Sequence, residues 1–187
     1  MSARKTIRLS TLIKAKGEEK VAAFLAQAFS CVRNKDVESF LHHKAILFEG
    51  NHASRTYLIL SSNGELLAYF SLSFKEIQVK ASNTFLKKNF GRFHKGDRLK
   101  VFLIGQIGKN DKLENNHIKL CDVLEEIYSQ IKLAQDVIGG KIVILECEDN
   151  AKLIQLYEAH QFKLIDTVED ETQLKTMFIV PELMKHV

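Results

Sequence analysis

The chain of 187 residues is 45% hydrophobic and 27% charged, with a formal net charge of +4. A chain of this length buries roughly 70% of the surface it exposes when unfolded, which is enough for one hydrophobic core. No apolar run approaches the ~20 residues of a membrane span, and none follows the first basic residues as in a signal peptide. Three widely spaced cysteines, Cys31, Cys121 and Cys147, suit neither a disulfide framework nor a zinc site. We therefore expect one cytoplasmic domain over residues 1–187, with no metal.

The first half of the chain predicts helices followed by a pair of antiparallel strands. Apolar residues recur at steps of three and four in the helical stretches, and β-branched and aromatic residues are frequent in the strands. Asn63-Gly64 between the two strands is a strong hairpin signal. The predicted elements are a strand at residues 5–10, a helix at 18–29, a second helix capped by Asp36, and strands at 55–60 and 65–72.

The second half predicts two buried parallel strands joined by a helix. Residues 100–108 form a nearly continuous apolar run, as expected for a central strand covered on both faces. A polar loop at 109–116 leads into an amphipathic helix that ends at Gly139-Gly140. Because this helix carries the crossover, the strand at 141–147 should run parallel to the first. The remaining elements are a short helix capped by Asn150 and a hairpin of strands 163–168 and 173–180 around the acidic turn 169–171.

Positive charge is concentrated between residues 75 and 100, which carry eight basic residues against two acidic ones. Phe85, Phe90 and Phe93 lie among them. Basic and aromatic residues together suit a nucleic-acid surface, with charges for phosphates and rings for base stacking. The alternative is a solvated connecting segment whose phenylalanines anchor it to the core. The basic residues are Lys75, Lys80, Lys87, Lys88, Arg92, Lys95, Arg98 and Lys100.

Residues 142–162 predict an apolar strand that ends at Asp149-Asn150. A short helix with one tyrosine follows, and Phe162 comes directly after it. This order resembles the last conserved block of the GNAT N-acetyltransferases, in which the tyrosine lies beside the sulfur of acetyl-CoA. The order of elements along the chain is also similar to the GNAT fold. The resemblance implies an α+β fold with a mixed, mostly antiparallel sheet flanked by helices, whose parallel central strands splay apart. It also implies acetyl-CoA as cosubstrate, an amine acceptor that the sequence leaves unidentified, and Tyr157 as the catalytic residue.

Tyr157 has two interpretations. The resemblance implies that its phenol protonates the thiolate expelled from acetyl-CoA. On spacing alone, a tyrosine among leucines is more often a core residue, and we expect Leu153, Leu156 and Phe162 to face the core with Tyr157 at the edge of that stripe. The family usually has glycine immediately before the closing phenylalanine, where this chain has Gln161.

The loop after the first parallel strand departs from the family's glycine-containing pyrophosphate motif, because no glycine occurs from Lys109 to Ile138. Asparagine tolerates a positive φ angle better than most residues, so Asn115 and Asn116 are expected to replace the glycines. Gly105 and Gly108 suit a bulge or a close backbone approach, or only the relief of crowding. The residues that the resemblance implies for cofactor binding are Ile107, Gly108, Lys109, Asn115, Asn116, His117, Ile118, Lys119 and Asn150.

No general base is assigned. Glu146 and Glu76 are candidates, and the acceptor amine can equally lose its proton to water. A nucleophilic cysteine is the rival chemistry, although we expect Cys121 and Cys147 to be buried small hydrophobic residues and not activated thiols.

The N-terminal half adds a looser resemblance to a bacterial subgroup that contains acetyltransferase toxins of toxin–antitoxin pairs. Its members acetylate aminoacyl-tRNA, which would make the basic segment 75–100 a tRNA surface. Three hypotheses remain: an N-acetyltransferase for a small molecule, peptide or protein amine; a toxin-like enzyme for charged tRNA; and a non-catalytic binding module. The chain is expected to avoid membranes and to be a monomer or homodimer.

Overall fold

The computed structural model describes residues 4–91, 93–168 and 174–181. Seven strands and seven α-helices are found in this part of the chain, in the order that follows. They are β1 (Arg4–Arg8), α1 (Leu9–Lys16), α2 (Glu18–Ala28), α3 (Lys35–Ser39), α4 (Ala45–Gly50), β2 (Arg55–Ser61), β3 (Leu66–Gln78), α5 (Asn83–Phe90), β4 (Arg98–Lys109), α6 (Leu120–Ile138), β5 (Val143–Glu148), α7 (Ala151–Glu158), β6 (Lys163–Ile165) and β7 (Leu174–Ile179). A π-helical turn, Phe40–Lys44, joins α3 to α4.

The strands form one mixed sheet in the order β1-β2-β3-β4-β5-β7-β6. The pairs β1–β2, β2–β3, β5–β7 and β6–β7 are antiparallel. The pair β4–β5 is parallel, with Phe102–Ile104 opposite Val143–Leu145. The predicted parallel pair, carried by the crossover helix α6, is therefore confirmed.

The chain divides into two compact units, Met1–Ser73 with Gly105–Gln130 and Phe74–Ile104 with Ile131–Val187. The first unit has a core in which α1, α2 and the α3–α4 segment cover Leu58 and Tyr69 of the sheet. In the second unit, Phe90 of α5 packs among strand residues that include Val101, Ile144 and Phe178. The expectation of one domain over residues 1–187 stays a prediction.

Two predictions for the first half are wrong in detail. The chain turns into helix α1 at Leu9, directly after β1, where the sequence predicted the end of a strand. The next predicted cap, Asp36, lies inside α3. Asn34 caps this helix instead, because its side-chain oxygen accepts the N–H groups of Asp36 and Val37, both at 3.1 Å.

Helix α5 lies in the segment that was predicted as a connection. It has only two turns, and its cap is Ser82, whose hydroxyl accepts the Phe85 N–H at 3.2 Å. Strands β6 and β7 confirm the closing hairpin, although both are shorter than predicted. The predicted acidic turn 169–171 lies outside the described residues. Among the described helices, none is long and apolar enough to cross a membrane.

Candidate active site

The parallel strands β4 and β5 share only a short ladder. Their pairing covers three residues of each strand, and β4 continues to Lys109 while β5 continues to Glu148. On its other edge, β5 pairs with β7 along all six of its residues. The carboxyl-terminal residues of β5 are therefore bonded to β7 and lie beyond the ladder with β4. The parallel pair that the sequence predicted is confirmed over these three residues, and the β5 residues beyond Leu145 lie outside its ladder with β4.

Helix α7 follows β5 and carries Tyr157. The predicted cap is confirmed, because the Asn150 side-chain oxygen accepts the N–H groups of Lys152 and Leu153 at 3.0 and 3.4 Å. The Tyr157 ring is half-buried and meets the Phe162 ring edge-on, with centroids 5.9 Å apart. Burial raises the pKa of Tyr157 to about 12. Among the described residues, its hydroxyl has no hydrogen-bond partner. The helix thus presents a protonated phenol that is free to donate.

The prediction that Leu156 of α7 faces the core is wrong, because its side chain is 46% exposed. The partly covered residues are Leu153, Ile154 and Tyr157, which lie three and four positions apart on one helical face. Leu156 is a single position from Tyr157 and therefore points about 100° away from it. Tyr157 belongs to the covered face and not to its edge.

Three residues after the end of helix α7, the chain takes a left-handed conformation. Gln161 has a φ of 70°, and the following N–H of Phe162 returns to the Tyr157 carbonyl at 3.1 Å. A positive φ angle at this point is typical of a helix C-terminus and is usually supplied by glycine. Gln161 therefore keeps the backbone geometry that glycine would give, with added strain.

The glycine-free loop after β4 is organised by Asn110, which sequence reasoning missed. Its side chain is fully buried. The amide nitrogen donates to the carbonyl oxygens of Ala28 and Leu66, both at 2.7 Å. The amide oxygen accepts the N–H groups of Ser30 and Lys112 at 3.0 and 3.1 Å. One asparagine thus ties the start of the loop to α2 and β3.

Asn116 has a similar structural role. Its amide nitrogen donates to the carbonyl oxygens of Leu67 and Asn110 at 2.8 and 2.9 Å. The prediction that Asn115 and Asn116 adopt a left-handed conformation is wrong, because among the described non-glycine residues only His52 and Gln161 have a positive φ. Side-chain hydrogen bonds to backbone carbonyls hold this loop without the left-handed turns that glycine would supply.

The basic residues of the loop differ in availability. The Lys112 ammonium donates to the Gln27 carbonyl, whereas Lys109 and Lys119 are exposed. At the start of α6, the Asp122 carboxylate accepts the Lys119 N–H at 2.7 Å and pairs with Arg4 at 2.6 Å. These contacts, chiefly the backbone hydrogen bond, hold the pKa of Asp122 below its usual range. A carboxylate of the chain itself therefore occupies part of the positive end of α6.

The other predicted cofactor residues lie around this loop. Gly108 faces the core of the first unit, where an added Cβ would lie 2.4 Å from Tyr69 and 2.8 Å from Val37. Relief of crowding is therefore confirmed as one function of this glycine. Ile118 is buried and Ile107 half-buried, while Asn115 and His117 are exposed. Their part in cofactor binding stays a prediction.

Apart from Cys121, the candidate bases and nucleophiles are paired or buried. Lys75 forms an ion pair with Glu146, and Arg98 pairs with Glu76 at 3.2 Å. Cys147 lies buried on β5, and desolvation raises the pKa of its thiol, which is opposite to what an activated nucleophile requires. Cys121 is exposed on α6, so the prediction that it is a buried residue is wrong.

The phenylalanines of the basic segment 75–100 anchor it to the core, as the second interpretation expected, but the segment contains helix α5 and is more than a connection. Phe90 is buried, and Phe85 packs edge-on against Phe90 and Phe178 with centroids 6.1 Å away in both cases. These contacts anchor α5 to the core, and only part of the Phe85 ring remains exposed. Arg92 lies outside the described residues. The lysines that this segment exposes are Lys80, Lys87, Lys88, Lys95 and Lys100.

Comparison with known proteins identifies the fold. No family model matches the sequence, and no curated protein matches it. Among solved structures, AtaT complexed with acetyl-methionyl-tRNAfMet has 15% sequence identity, covers 95% of both chains and gives a TM-score of 0.70. A second structure is a tyrosine-to-phenylalanine variant of AtaT bound to acetyl-CoA and the C-terminus of the antitoxin AtaR. It has 13% sequence identity, the match covers 94% of this chain and 92% of that chain, and the TM-score is 0.66. A tyrosine-to-phenylalanine variant of KacT has 15% sequence identity, and the match covers 94% of both chains with a TM-score of 0.64.

At these identities the likeness establishes the fold. The chain has the α+β GNAT fold that these acetyltransferase toxins share, with the parallel β4–β5 pair in its mixed sheet. The fold that the sequence predicted is confirmed.

Proposed function

We propose that this chain is an N-acetyltransferase that moves the acetyl group of acetyl-CoA onto a primary amine. The observation that carries the proposal is the Tyr157 hydroxyl, which has no hydrogen-bond partner among the described residues. The Tyr157 oxygen is not among the described buried side-chain atoms that lack a partner, so it is open to solvent although the ring is partly covered. A substrate atom that accepts its proton can therefore reach it.

In the proposed reaction, the amine nitrogen attacks the thioester carbonyl carbon. The new C–N bond forms as the C–S bond breaks, and the electron pair of that bond goes to sulfur. The proton that the nitrogen loses balances the proton that the sulfur gains, through Tyr157 or through water. The products are an N-acetylated amine and CoA with a free thiol.

The acidity of Tyr157 defines its part in this step. With a pKa of about 12, the phenol is a weaker acid than an ordinary thiol, whose pKa is about 8.5. Complete transfer of the phenol proton to a thiolate is therefore unfavourable. Tyr157 serves mainly as a hydrogen-bond donor that stabilises negative charge as it develops on sulfur. Because β4 offers no carboxylate and Glu146 is paired with Lys75, the amine proton leaves to water.

The second unit offers acetyl-CoA the edge of β5, whose backbone groups beyond the ladder with β4 suit the pantetheine arm. The first unit offers two further kinds of contact. The first-turn N–H groups of α6 have no partner within the helix, as at any helix N-terminus. The exposed Lys109 and Lys119 add positive charge for the pyrophosphate. The side-chain amides of Asn110 and Asn116 donate their hydrogen bonds to backbone carbonyls and so support the loop, not the ligand.

The test is the rate of acetyl transfer in the Tyr157→Phe variant. Radiolabelled acetyl-CoA is supplied with three acceptors: methionine amide, a peptide with a free N-terminus, and methionyl-tRNA. Removal of one donor to a developing anion should lower kcat about 100-fold and leave the Kd for acetyl-CoA unchanged. Tyr128→Phe, which removes another phenol hydroxyl, is the matched control. A fully active Tyr157→Phe variant would refute the role of Tyr157, and an inactive wild type with all three acceptors would refute the activity.

Aminoacyl-tRNA is the acceptor that a specific observation favours. The exposed lysines of segment 75–100 have no ion-pair partner among the described residues, and AtaT has been solved with acetyl-methionyl-tRNAfMet. Phosphate contacts by lysine make affinity fall as salt rises. Because the phenylalanines pack against the core, this surface would recognise the RNA by its phosphate charges and its shape, and not by stacking on bases.

This acceptor is tested with paired substrates. Lys87→Gln/Lys88→Gln should raise KM for methionyl-tRNA several-fold, reduce its salt dependence, and leave KM for methionine amide unchanged. Lys132→Gln, which removes a lysine already paired with Asp136 at 3.5 Å, is the control. Equal effects on both acceptors would exclude an RNA surface at α5 and leave the acetyltransferase proposal intact.

We place the protein in the cytoplasm, where thiols stay reduced, since Cys31, Cys121 and Cys147 are all free.

A further inference from the structure

An apolar cavity that is open to solvent on one side lies in the first unit, beside the corner where α1 meets α2. Its volume is about 350 Å³. The corner is made by Gly17, whose φ of 84° lets α1 end and α2 begin within a single residue. Lys16 is the last residue of α1 and Lys20 is the third of α2, so the corner brings both cations to the cavity.

The walls of this cavity are hydrophobic side chains that the core does not fully cover. Ile7, Leu12, Phe24 and Leu60 line it. All four pack against the buried core of the first unit, and each remains half-exposed. An apolar chain that fills the cavity would therefore remove hydrophobic surface from water. Each methylene group so buried strengthens binding roughly fourfold.

The cavity has an unbalanced positive charge. Lys16 and Lys20 both line it and are exposed, and neither has an ion-pair partner among the described residues. Glu18 and Glu19 occupy the first turn of α2 but do not line the cavity. Apolar walls with two cations and no lining carboxylate favour an amphiphile with an anionic head.

We propose that this cavity binds a medium-chain fatty acid, with the hydrocarbon chain against the four apolar walls and the carboxylate at Lys16 and Lys20. The volume is within the range of small-molecule sites, roughly 300–1,000 Å³. A stable protein partner would need about 800 Å² of surface on each side, far more than the four walls offer, so a small ligand is the better fit.

The test is calorimetric titration of the full chain with decanoate, octanoate and decanol below their aggregation limits. Decanoate should bind with 1:1 stoichiometry. Octanoate, with two fewer methylene groups, should bind roughly 15-fold more weakly. Decanol should bind about fivefold more weakly, as expected for the loss of a solvent-exposed ion pair.

Two variants assign the binding to this cavity. Lys16→Gln/Lys20→Gln should weaken decanoate about fivefold and leave decanol unchanged. Lys14→Gln, on the same helix but not lining the cavity, should bind decanoate as the wild type does. The proposal is overturned if decanoate does not bind, if decanol binds equally well, if several molecules bind per chain, or if the double variant keeps full affinity for decanoate. Because these substitutions are at exposed positions, misfolding would not confuse the result.

Discussion

The side-chain amide of Asn116 donates a hydrogen bond to the backbone carbonyl of Asn110, at 2.9 Å. Asn110 in turn uses its own side chain to hold α2, β3 and the loop. Two asparagines six positions apart thus stabilise a loop that contains no glycine. This arrangement fixes the start of α6, where the pyrophosphate of acetyl-CoA is proposed to bind.

Removal of the Asn110 amide should strongly destabilise the protein. Asn110→Ala leaves the Ser30 N–H and the carbonyls of Ala28 and Leu66 without their partner in a buried site. Because unsatisfied buried groups carry their full desolvation penalty, we expect a loss of about 3 kcal/mol in the free energy of unfolding. Urea denaturation measures it. Asn115→Ala, at an exposed position of the same loop, is the control, and a similar loss in both variants would contradict the role of Asn110.

Gln161→Gly should stabilise the protein. Gln161 has a φ of 70°, a conformation in which a residue with a Cβ is strained by about 1 kcal/mol or more. Glycine relieves that strain but adds entropy to the unfolded chain, so the expected net gain is roughly 0.5–1 kcal/mol. Thermal unfolding at neutral pH provides the measurement. Gln161→Ala keeps the strain and should give no gain, and a destabilised glycine variant would show that the side chain makes a contact of its own.

Two tyrosine-to-phenylalanine substitutions should have opposite effects on stability. The buried Tyr128 hydroxyl has no partner among the described residues, so Tyr128→Phe should raise the free energy of unfolding by about 1 kcal/mol. The Tyr69 hydroxyl donates to the Val37 carbonyl at 2.5 Å, so Tyr69→Phe should lower it by about 1 kcal/mol or more. Both are measured by chemical denaturation, and effects of the same sign would contradict this account of the two hydroxyls.

Stability should fall in acid partly because of Glu38. A hydrogen bond from Lys35, then those from the Ser30 hydroxyl and the Cys31 N–H, lower the pKa of Glu38 to about 2. In the unfolded chain its pKa is about 4.3. The folded state therefore binds this proton less readily, and the stabilisation is present above about pH 4.5 and is lost as the pH falls towards 2.

The measurement is the free energy of unfolding from pH 6 to pH 2 in wild type and Glu38→Gln. The variant should be less stable at pH 6 and should lose less stability on acidification. Lys35→Gln removes the first of the three hydrogen bonds and should shift the fall in stability to higher pH. Parallel curves for wild type and Glu38→Gln would show that the carboxylate does not contribute.

Features encoded by neighbouring residues were predictable from the sequence. The Asn150 cap, the amphipathic α6 and its Gly139-Gly140 terminus all follow from patterns a few residues long. The parallel direction of β5 follows from the helical crossover. Together with the tyrosine helix, these elements were enough to predict the fold.

The missed features depend on contacts between distant parts of the chain. Asn110 is one polar residue after an apolar strand, and its partners Ala28 and Leu66 lie 82 and 44 positions away. No local periodicity reports such a contact. Helix α5 is short, and its apolar face of Leu86 and Phe90 is interrupted by lysines that suggested a solvated segment.

The measurement that most directly tests the central claim is thermal unfolding with and without acetyl-CoA. A ligand at ~100 times its Kd adds about 2.7 kcal/mol, which for a chain of this size raises Tm by roughly 5–10 °C. We expect that rise for the wild type and also for Tyr157→Phe, since the phenol acts on the departing sulfur and not on binding. No rise at millimolar acetyl-CoA would contradict the account, because the loop held by Asn110 and Asn116 would then support no cosubstrate.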